Sequence, residues 1–142
     1  MKIIRQGSAQ WSGGLKDGRG AISTGSGVLA EQPYGFASRF EGQPGTNPEE
    51  LLGAAHAGCF TMALSLILQE AGYTAKRMET SAEVTLEQVE GGFAITAIKL
   101  TLRASIPDIE ERQFHELAAK AKVGCPVSKA LNPEITLDAS LA

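Results

Sequence analysis

The chain has two cysteines, Cys59 and Cys125, and their types and positions make them the first candidates for chemistry. Cys59 lies within the apolar run LLGAAHAGCFTMALSLIL, and Cys125 directly precedes a proline in VGCPVSKAL. A thiol reacts as its thiolate, so a reactive cysteine needs a nearby cation, a set of hydrogen-bond donors or a helix N-terminus. The two cysteines lie far apart in the sequence, so any bond between them depends on the fold.

The residues around Cys125 favour a thiolate. Pro126 disfavours helical angles at Cys125 and suits the first position of a helix. The sulfur of Cys125 is therefore predicted to lie beside unpaired backbone N–H groups. Cys59 lies in the middle of a helix, where burial makes a thiol less acidic. Its reactivity would need a cation from elsewhere, and Arg39 in GFASRFEG is the candidate, because an arginine among apolar residues has to be paired.

Three β-rich segments precede the apolar run that holds Cys59. Gly-rich breaks separate them, which predicts three short strands with the sequences KIIRQGSAQW, GAISTGSGVL and GFASRFEG. A helix is then predicted to begin with Thr46 or Asn47 as its N-cap and Pro48 in its first turn. Gly72 has the right chemistry to end this helix as a C-cap.

Alternating residues from Thr74 to Pro107 predict a long hairpin that turns at Glu90-Gly91-Gly92. The segment IEERQFHELAAKAKV has the spacing of an amphipathic helix, and a short helical turn follows Cys125. The segment from Glu134 to Asp138 alternates as a last strand. This order of elements predicts an α+β fold with a largely antiparallel sheet. The length of 142 residues fits a single domain over residues 1–142.

The helix around Cys59 is apolar on all sides, and one sheet can cover only part of it. Small residues from Gly53 to Gly58 permit a close approach, so we expect the same helix of a second subunit to pack there in a homodimer. Glu49 precedes Cys59 by roughly 15 Å along one helix, at ~1.5 Å per residue. If both residues belong to one site, the two helices of the dimer run antiparallel and the site lies at the subunit interface.

Composition and charge argue against nucleic acid and membranes as partners. A formal net charge of −3 and a sequence pI near 5.4 leave no basic stripe with interleaved aromatic residues, which argues against nucleic acid. The N-terminal MKIIRQGSAQWSG lacks the apolar region of a secretory signal, so we expect a cytoplasmic protein. Leu51–Leu68 reaches the lower length limit of a membrane span, but its polar residues and acidic flanks favour a buried helix and no membrane.

Four segments in order resemble the OsmC/Ohr family, which comprises osmotically inducible protein C and the organic hydroperoxide resistance proteins. They are the arginine-containing PYGFASRFEG, then NPEELLGAAHAGCF, GCPVS and the final EITLD. The resemblance runs almost end to end. It is closest to the osmotically inducible protein C branch, through SGVLAEQPYGFASRFEGQPGTNPEELLGAAHAGCF in particular.

The resemblance implies an OsmC-like fold, in which antiparallel sheets wrap around central apolar helices in an intertwined homodimer. It also implies a thiol-dependent peroxidase that reduces organic hydroperoxides, and hydrogen peroxide, in oxidative or osmotic stress defence. Cys59 matches the peroxidatic cysteine, which becomes a sulfenic acid. Cys125 matches the resolving cysteine, which condenses with it into a disulfide.

Further site residues and partners are implied by the same resemblance. Arg39 matches the family arginine that favours the thiolate and binds the peroxide, and Glu49 matches the acid that holds this arginine in place. A dithiol, such as a lipoylated protein, is the implied reductant, with no metal, haem or flavin. Apart from the resemblance, the apolar side chains of Phe36, Phe40 and Met62 make them candidates for lining an apolar peroxide pocket.

The local sequence and the resemblance favour different thiols as the more acidic one. The residues around Cys125 favour its ionisation, whereas the resemblance assigns the attack to Cys59. A sulfur of low pKa also leaves readily in thiol–disulfide exchange. We therefore expect Cys59 to attack and Cys125 to resolve.

Other functions fit parts of the pattern. His56 lies one helical turn before Cys59, which permits a Cys–His hydrolase dyad, although a buried and hydrogen-bonded histidine is the commoner arrangement. His56, Cys59, His115 and Cys125 together have the right types for zinc, but no C-x-x-C pair supports it. A non-catalytic dimeric stress or ligand-binding protein with the same apolar crevice is the alternative to the peroxidase.

Overall fold

The computed structural model describes residues Met1–Ala142, which divide into two compact units. Unit 1 comprises Met1–Leu51 and unit 2 comprises Leu52–Ala142. The boundary falls inside one long helix. A single domain over residues 1–142 stays a prediction.

Unit 1 contains a three-stranded antiparallel sheet followed by a short helix. The strands pair in the order β1-β2-β3. The elements are β1 (Gly7–Ser12), β2 (Arg19–Thr24), β3 (Gln32–Tyr34) and α1 (Phe36–Phe40). The first two predicted strands are thus present in shortened form.

The prediction of a third strand over GFASRFEG is wrong, because its central residues form helix α1 and the strand lies just before them. Ser38 is the local reason. Its hydroxyl accepts the N–H of Gly35 at 2.9 Å and lies 2.9 Å from the carbonyl oxygen of Thr46. These side-chain bonds replace the ladder bonds that a strand would need. Arg39 therefore projects from a helix rather than inward from a sheet.

Helix α2 (Pro48–Glu70) begins and ends with the predicted caps. The side chain of Asn47 accepts the N–H of Glu50 at 2.8 Å, which makes Asn47 the N-cap ahead of Pro48. At the other end Gly72 has φ +90°. The N–H of Tyr73 bonds to the carbonyl of Leu68 and that of Gly72 to Gln69, which is a Schellman motif.

Unit 2 contains a mixed three-stranded sheet in the order β4-β5-β6. Its elements after α2 are β4 (Arg77–Val89), β5 (Gly92–Ser105), α3 (Glu111–Gly124), α4 (Pro126–Ala130) and β6 (Glu134–Leu141). The predicted hairpin is confirmed, since β4 and β5 pair antiparallel and turn at Glu90 and Gly91. Strand β6 pairs parallel with β5, because α3 and α4 form a crossover that returns the chain in the same direction.

One face of α2 supplies the centre of the core of unit 2. Phe60, Leu64 and Leu68 on this face are fully buried. They pack with Leu100 of β5 and Phe114 of α3 in one cluster. On another face of α2, Met62 is 75% exposed and Leu66 is 56% exposed. Unit 2 therefore leaves an apolar surface of this helix uncovered.

By length and composition alone α2 could cross a membrane, with a mean hydropathy of 1.8. Core helices of soluble proteins meet the same criterion. In α2 the buried face packs on protein and includes a hydrogen-bonded histidine, His56.

Candidate active site

Both thiols lie in unit 2, and they interact with each other. Cys59 is near the middle of α2, and Cys125 joins α3 to α4. Both are free thiols. Cys125 is fully buried, whereas Cys59 keeps part of its surface exposed. Of the two cysteines, Cys59 is therefore the more accessible to solvent.

Burial raises the pKa of the Cys59 thiol. The backbone N–H of Val127 acts in the opposite direction, but the neighbouring sulfur of Cys125 adds to the rise. The net pKa of Cys59 is above that of an ordinary thiol. The groups of unit 2 that act on Cys59 thus do not favour its ionisation.

Burial also acts to raise the pKa of Cys125, but hydrogen bonds outweigh it. The hydroxyl and backbone N–H of Ser128 contribute most to lowering this pKa, followed by Cys59 and the N–H of Val127. The net pKa of Cys125 is below the ordinary value. Of the two sulfurs, Cys125 is therefore the one more easily ionised in the resting chain, with the thiol of Cys59 as one of its donors.

Cys125 lies at the N-terminus of α4 because Pro126 directly follows it. Cys125 has φ −65° and ψ 135°, and it forms the N-cap of α4 with Pro126 as the first helical residue. Its sulfur accepts the N–H of Ser128 at 3.3 Å. The hydroxyl of Ser128 lies 3.2 Å from the same sulfur. The predicted helix N-terminus beside Cys125 is confirmed.

His56 is fully buried one turn before Cys59 on α2. Its Nε2 lies 2.7 Å from the hydroxyl oxygen of Ser128, while its Nδ1 is buried with no hydrogen-bond partner. Burial lowers the pKa of His56, so the ring is neutral at pH 7. Nε2 is thus committed to Ser128, and the interpretation of His56 as a buried, hydrogen-bonded histidine is confirmed.

Arg39 and Glu49 form a bidentate ion pair within unit 1. Nη2 of Arg39 donates to Oε1 of Glu49 at 2.7 Å, and Nε lies 3.1 and 3.3 Å from the two carboxylate oxygens. The side chain of Glu49 is 11% exposed and that of Arg39 is 38% exposed. Such a pair fixes the plane of a guanidinium while leaving part of it accessible to a ligand.

The three apolar candidates divide between the two units. In unit 1, the rings of Phe36 and Phe40 lie 5.0 Å apart on α1, and the guanidinium carbon of Arg39 is 5.4 Å from the centre of the Phe40 ring. In unit 2, Met62 lies one turn after Cys59 and lines an open apolar depression with Thr61 and Met78. The structure thus groups Phe36, Phe40, Arg39 and Glu49 in unit 1, and Cys59, Cys125 and Met62 in unit 2.

The zinc interpretation has no geometric support. No group of three or more His, Cys, Asp or Glu residues is placed to hold a metal ion. His115 lies exposed on α3, where its Nε2 is 3.0 Å from Glu111. The four residues considered for zinc therefore do not form one site.

Ser128 is the functional candidate that sequence reasoning missed. It is 7% exposed and connects His56 to Cys125 through its hydroxyl. The contact of Ser128 with Cys125 has a local signal, since Ser128 is the third residue of a helix capped by Cys125. Nothing local indicates its contact with His56, which is 72 positions away in the sequence.

Known proteins are similar to this chain in sequence. The family of OsmC-like proteins matches residues 40–140. Peroxiredoxin OsmC of Escherichia coli (strain K12) is 55% identical over 141 residues, which is 99% of each protein. The organic hydroperoxide resistance protein OhrB of Bacillus subtilis (strain 168) is 31% identical over 86% of this chain and 88% of its own length.

Solved structures of related proteins have a similar fold. An organic hydroperoxide resistance protein from Elizabethkingia anophelis is 29% identical, covers 100% of both chains and has a TM-score of 0.73. The crystal structure of OhrB from Bacillus subtilis is 30% identical, covers 96% of this chain and 98% of its own, and has a TM-score of 0.68.

Proposed function

The chain belongs to the OsmC family, and from this membership and its two interacting thiols we propose that it is a thiol-dependent peroxidase that reduces organic hydroperoxides. The observation that carries the proposal is the contrast between two interacting sulfurs. Cys59 is partly exposed, and Cys125 beside it is fully buried. An oxidant that enters the site meets Cys59 first, and the second thiol is already in place to react with the product.

The first step is the attack of Cys59 on the peroxide. Its thiolate attacks the terminal oxygen of ROOH, a sulfur–oxygen bond forms, and the O–O bond breaks. The alkoxide leaves and takes up a proton to become the alcohol. Cys59 is oxidised by two electrons to the sulfenic acid, and the peroxide is reduced by the same two electrons.

Cys125 then resolves the intermediate. Its thiolate attacks the sulfenic sulfur of Cys59, a disulfide forms, and hydroxide leaves and takes up a proton to become water. An external thiol reductant returns the disulfide to two thiols. We propose a dithiol, such as a lipoylated protein, because two neighbouring thiols complete both exchange steps on one donor.

The raised pKa of Cys59 makes a cation necessary for the first step. We propose that Arg39 supplies it and that Glu49 holds the guanidinium in its orientation. The bidentate pair between them and the partial exposure of Arg39 support this assignment. In the same proposal, Phe36, Phe40 and Met62 line the apolar part of the peroxide site.

The uncovered apolar surface of α2 supports a homodimer. Met62 and Leu66 expose most of their side chains, which is costly for large apolar residues on one helix. We propose that α2 of a second copy covers this surface and that Glu49 of one subunit approaches Cys59 of the other. Light scattering at micromolar concentration should give the mass of a dimer, and a monomeric mass would contradict this proposal.

We also propose that the protein acts in the cytoplasm.

A peroxide-consumption assay tests the function. We expect the wild type to consume cumene hydroperoxide with dithiothreitol or a lipoylated donor, and Cys59→Ser to lose this activity. Ser81→Ala, a change at an exposed residue of β4, is the matched control and should retain it. Undiminished activity in Cys59→Ser would overturn the proposal. A wild type inactive with both reductants would favour a non-catalytic stress or ligand-binding protein.

A further inference from the structure

A continuous hydrogen-bonded chain joins helix α2 to the sulfur of Cys125. Nε2 of His56 lies 2.7 Å from the Ser128 hydroxyl, which lies 3.2 Å from the Cys125 sulfur. His56 and Cys125 are fully buried and Ser128 is 7% exposed, so solvent takes little part in these bonds. The chain ends on a sulfur that interacts with Cys59.

The unpartnered Nδ1 of His56 determines the direction of these bonds. A neutral imidazole carries one hydrogen, on either Nδ1 or Nε2. A buried N–H without an acceptor is among the rarest defects of native structures, so the hydrogen belongs on Nε2. Nε2 then donates to the oxygen of Ser128. The hydroxyl hydrogen of Ser128 is left to point at the Cys125 sulfur.

We propose that His56 and Ser128 are positioning residues for the resolving step: His56 donates to Ser128, which directs the serine hydroxyl to donate to the sulfur of Cys125. Neither residue touches the peroxide in this proposal. It rests on the proposed function, because it assigns Cys125 as the thiol that attacks the sulfenic acid.

The arrangement provides Cys125 with two donors from one residue. The hydroxyl and the backbone N–H of Ser128 both reach the sulfur, at 3.2 and 3.3 Å. Donors on a sulfur stabilise its thiolate, which is why Cys125 has a lowered pKa despite full burial. When Cys59 becomes a sulfenic acid, it can no longer act as a thiol donor to Cys125. The two donors from Ser128 remain, so Cys125 stays reactive when its attack is needed.

His56 acts here as a hydrogen-bond donor rather than as a base. If it accepted the Cys125 proton through Ser128, a charged imidazolium would be formed in a fully buried site, where burial already lowers the pKa of His56. A donor role and a base role differ in one testable respect. Glutamine carries a side-chain N–H donor but cannot accept a proton in this range, so it replaces a donor and not a base.

The first test measures the pKa of Cys125 without interference from a second thiol. On a Cys59→Ser background Cys125 is the only thiol, and its ionisation is followed by thiolate absorbance against pH. We expect Ser128→Ala to raise the pKa of Cys125 by roughly 1 to 2, the effect of one hydrogen bond to a charged group. His56→Leu should raise it in the same direction, and His56→Gln should restore most of the difference. Ser81→Ala, an exposed change on β4, is the control.

Two results of this titration overturn the inference. One is an unchanged pKa of Cys125 in a folded Ser128→Ala variant. The other is an equal effect of His56→Gln and His56→Leu, which indicates a base or a packing role instead. The unsubstituted protein supplies a test that needs no variant. The chain has two histidines, and long-range proton–nitrogen NMR should find the hydrogen of His56 on Nε2; a hydrogen on Nδ1 contradicts the proposed direction.

A kinetic test separates this inference from the proposed function. After one equivalent of cumene hydroperoxide, we expect the Cys59–Cys125 disulfide to form about three- to tenfold more slowly in Ser128→Ala than in the wild type. Equal rates in the two proteins overturn the role of Ser128 and leave the peroxidase proposal intact. No disulfide in the wild type contradicts the resolving role of Cys125, on which this inference rests, whereas the titration and the tautomer still report on the hydrogen bonds.

Discussion

Replacement of Arg39 by methionine tests how Cys59 becomes reactive. The substitution keeps an unbranched, flexible side chain and removes the charge and the hydrogen-bond donors of the guanidinium. Burial and the neighbouring Cys125 hold the pKa of Cys59 above its ordinary value. An ordinary thiol, with a pKa of about 8.5, is about 3% thiolate at pH 7, and Cys59 without its cation falls below this fraction.

The expected loss follows from that fraction. If Arg39 keeps Cys59 mostly ionised, Arg39→Met lowers the rate constant for hydroperoxide reduction at pH 7 by about 30-fold or more. The deficit should shrink as the pH rises, because attack requires the thiolate. We expect the rate of the variant to increase about tenfold per pH unit from pH 7 towards its own thiol pKa, while the wild-type rate stays nearly flat.

The assay is stopped-flow consumption of cumene hydroperoxide in a single turnover, between pH 6 and pH 10. Arg112→Met is the matched control. Arg112 also pairs with a glutamate, Glu116 at 3.2 Å, but its side chain is 90% exposed on α3. It should leave the rate unchanged. A rate at pH 7 and a pH profile in Arg39→Met that equal those of the wild type would refute the assignment of Arg39 as the activating cation.

Three further results are expected. Glu49→Ala should lower the same rate constant at pH 7 by about five- to tenfold, less than Arg39→Met, because the cation remains and only its orientation is lost. Because the pKa of His56 is lowered, the unfolded chain binds a proton below about pH 6.5 that the folded protein does not. The free energy of unfolding should therefore decrease as the pH falls below this value, by up to ~1.4 kcal/mol per pH unit. Urea unfolding at pH 7 and pH 5 should show a smaller loss in His56→Gln. Phe114→Ala, at a fully buried core position, should cost about 3–5 kcal/mol in the same measurement.

The parts of the fold that depend on local chemistry were predictable. Asn47 and Gly72 are caps that act on their own helix, and Glu90 with Gly91 turns a hairpin between adjacent strands. The segment around Arg39 was not, because its β-rich composition is overridden by the bonds of Ser38 to Gly35 and Thr46. The parallel pairing of β6 also depends on how α3 and α4 return the chain, which alternation alone does not specify.

In the candidate site, too, local features were predictable from the sequence and contacts between distant residues were not. The donors around Cys125 follow from a proline after it and a helix N-terminus, both local features. The contact of Ser128 with His56 joins two helices through side chains that carry no sequence signal for each other. Residue types identified His56 as a buried polar group, but only the packing of α4 beside α2 identifies its partner.

In the proposed cycle Cys59 attacks the peroxide and Cys125 resolves the sulfenic acid. Mass spectrometry of the wild type and of Cys125→Ser, each after one equivalent of cumene hydroperoxide, tests these two roles. We predict a Cys59–Cys125 disulfide in the wild type, and a sulfenic acid or higher oxide on Cys59 in the variant. Oxidation of Cys125 without Cys59 in the wild type, or an unoxidised Cys59 in Cys125→Ser, would contradict these roles.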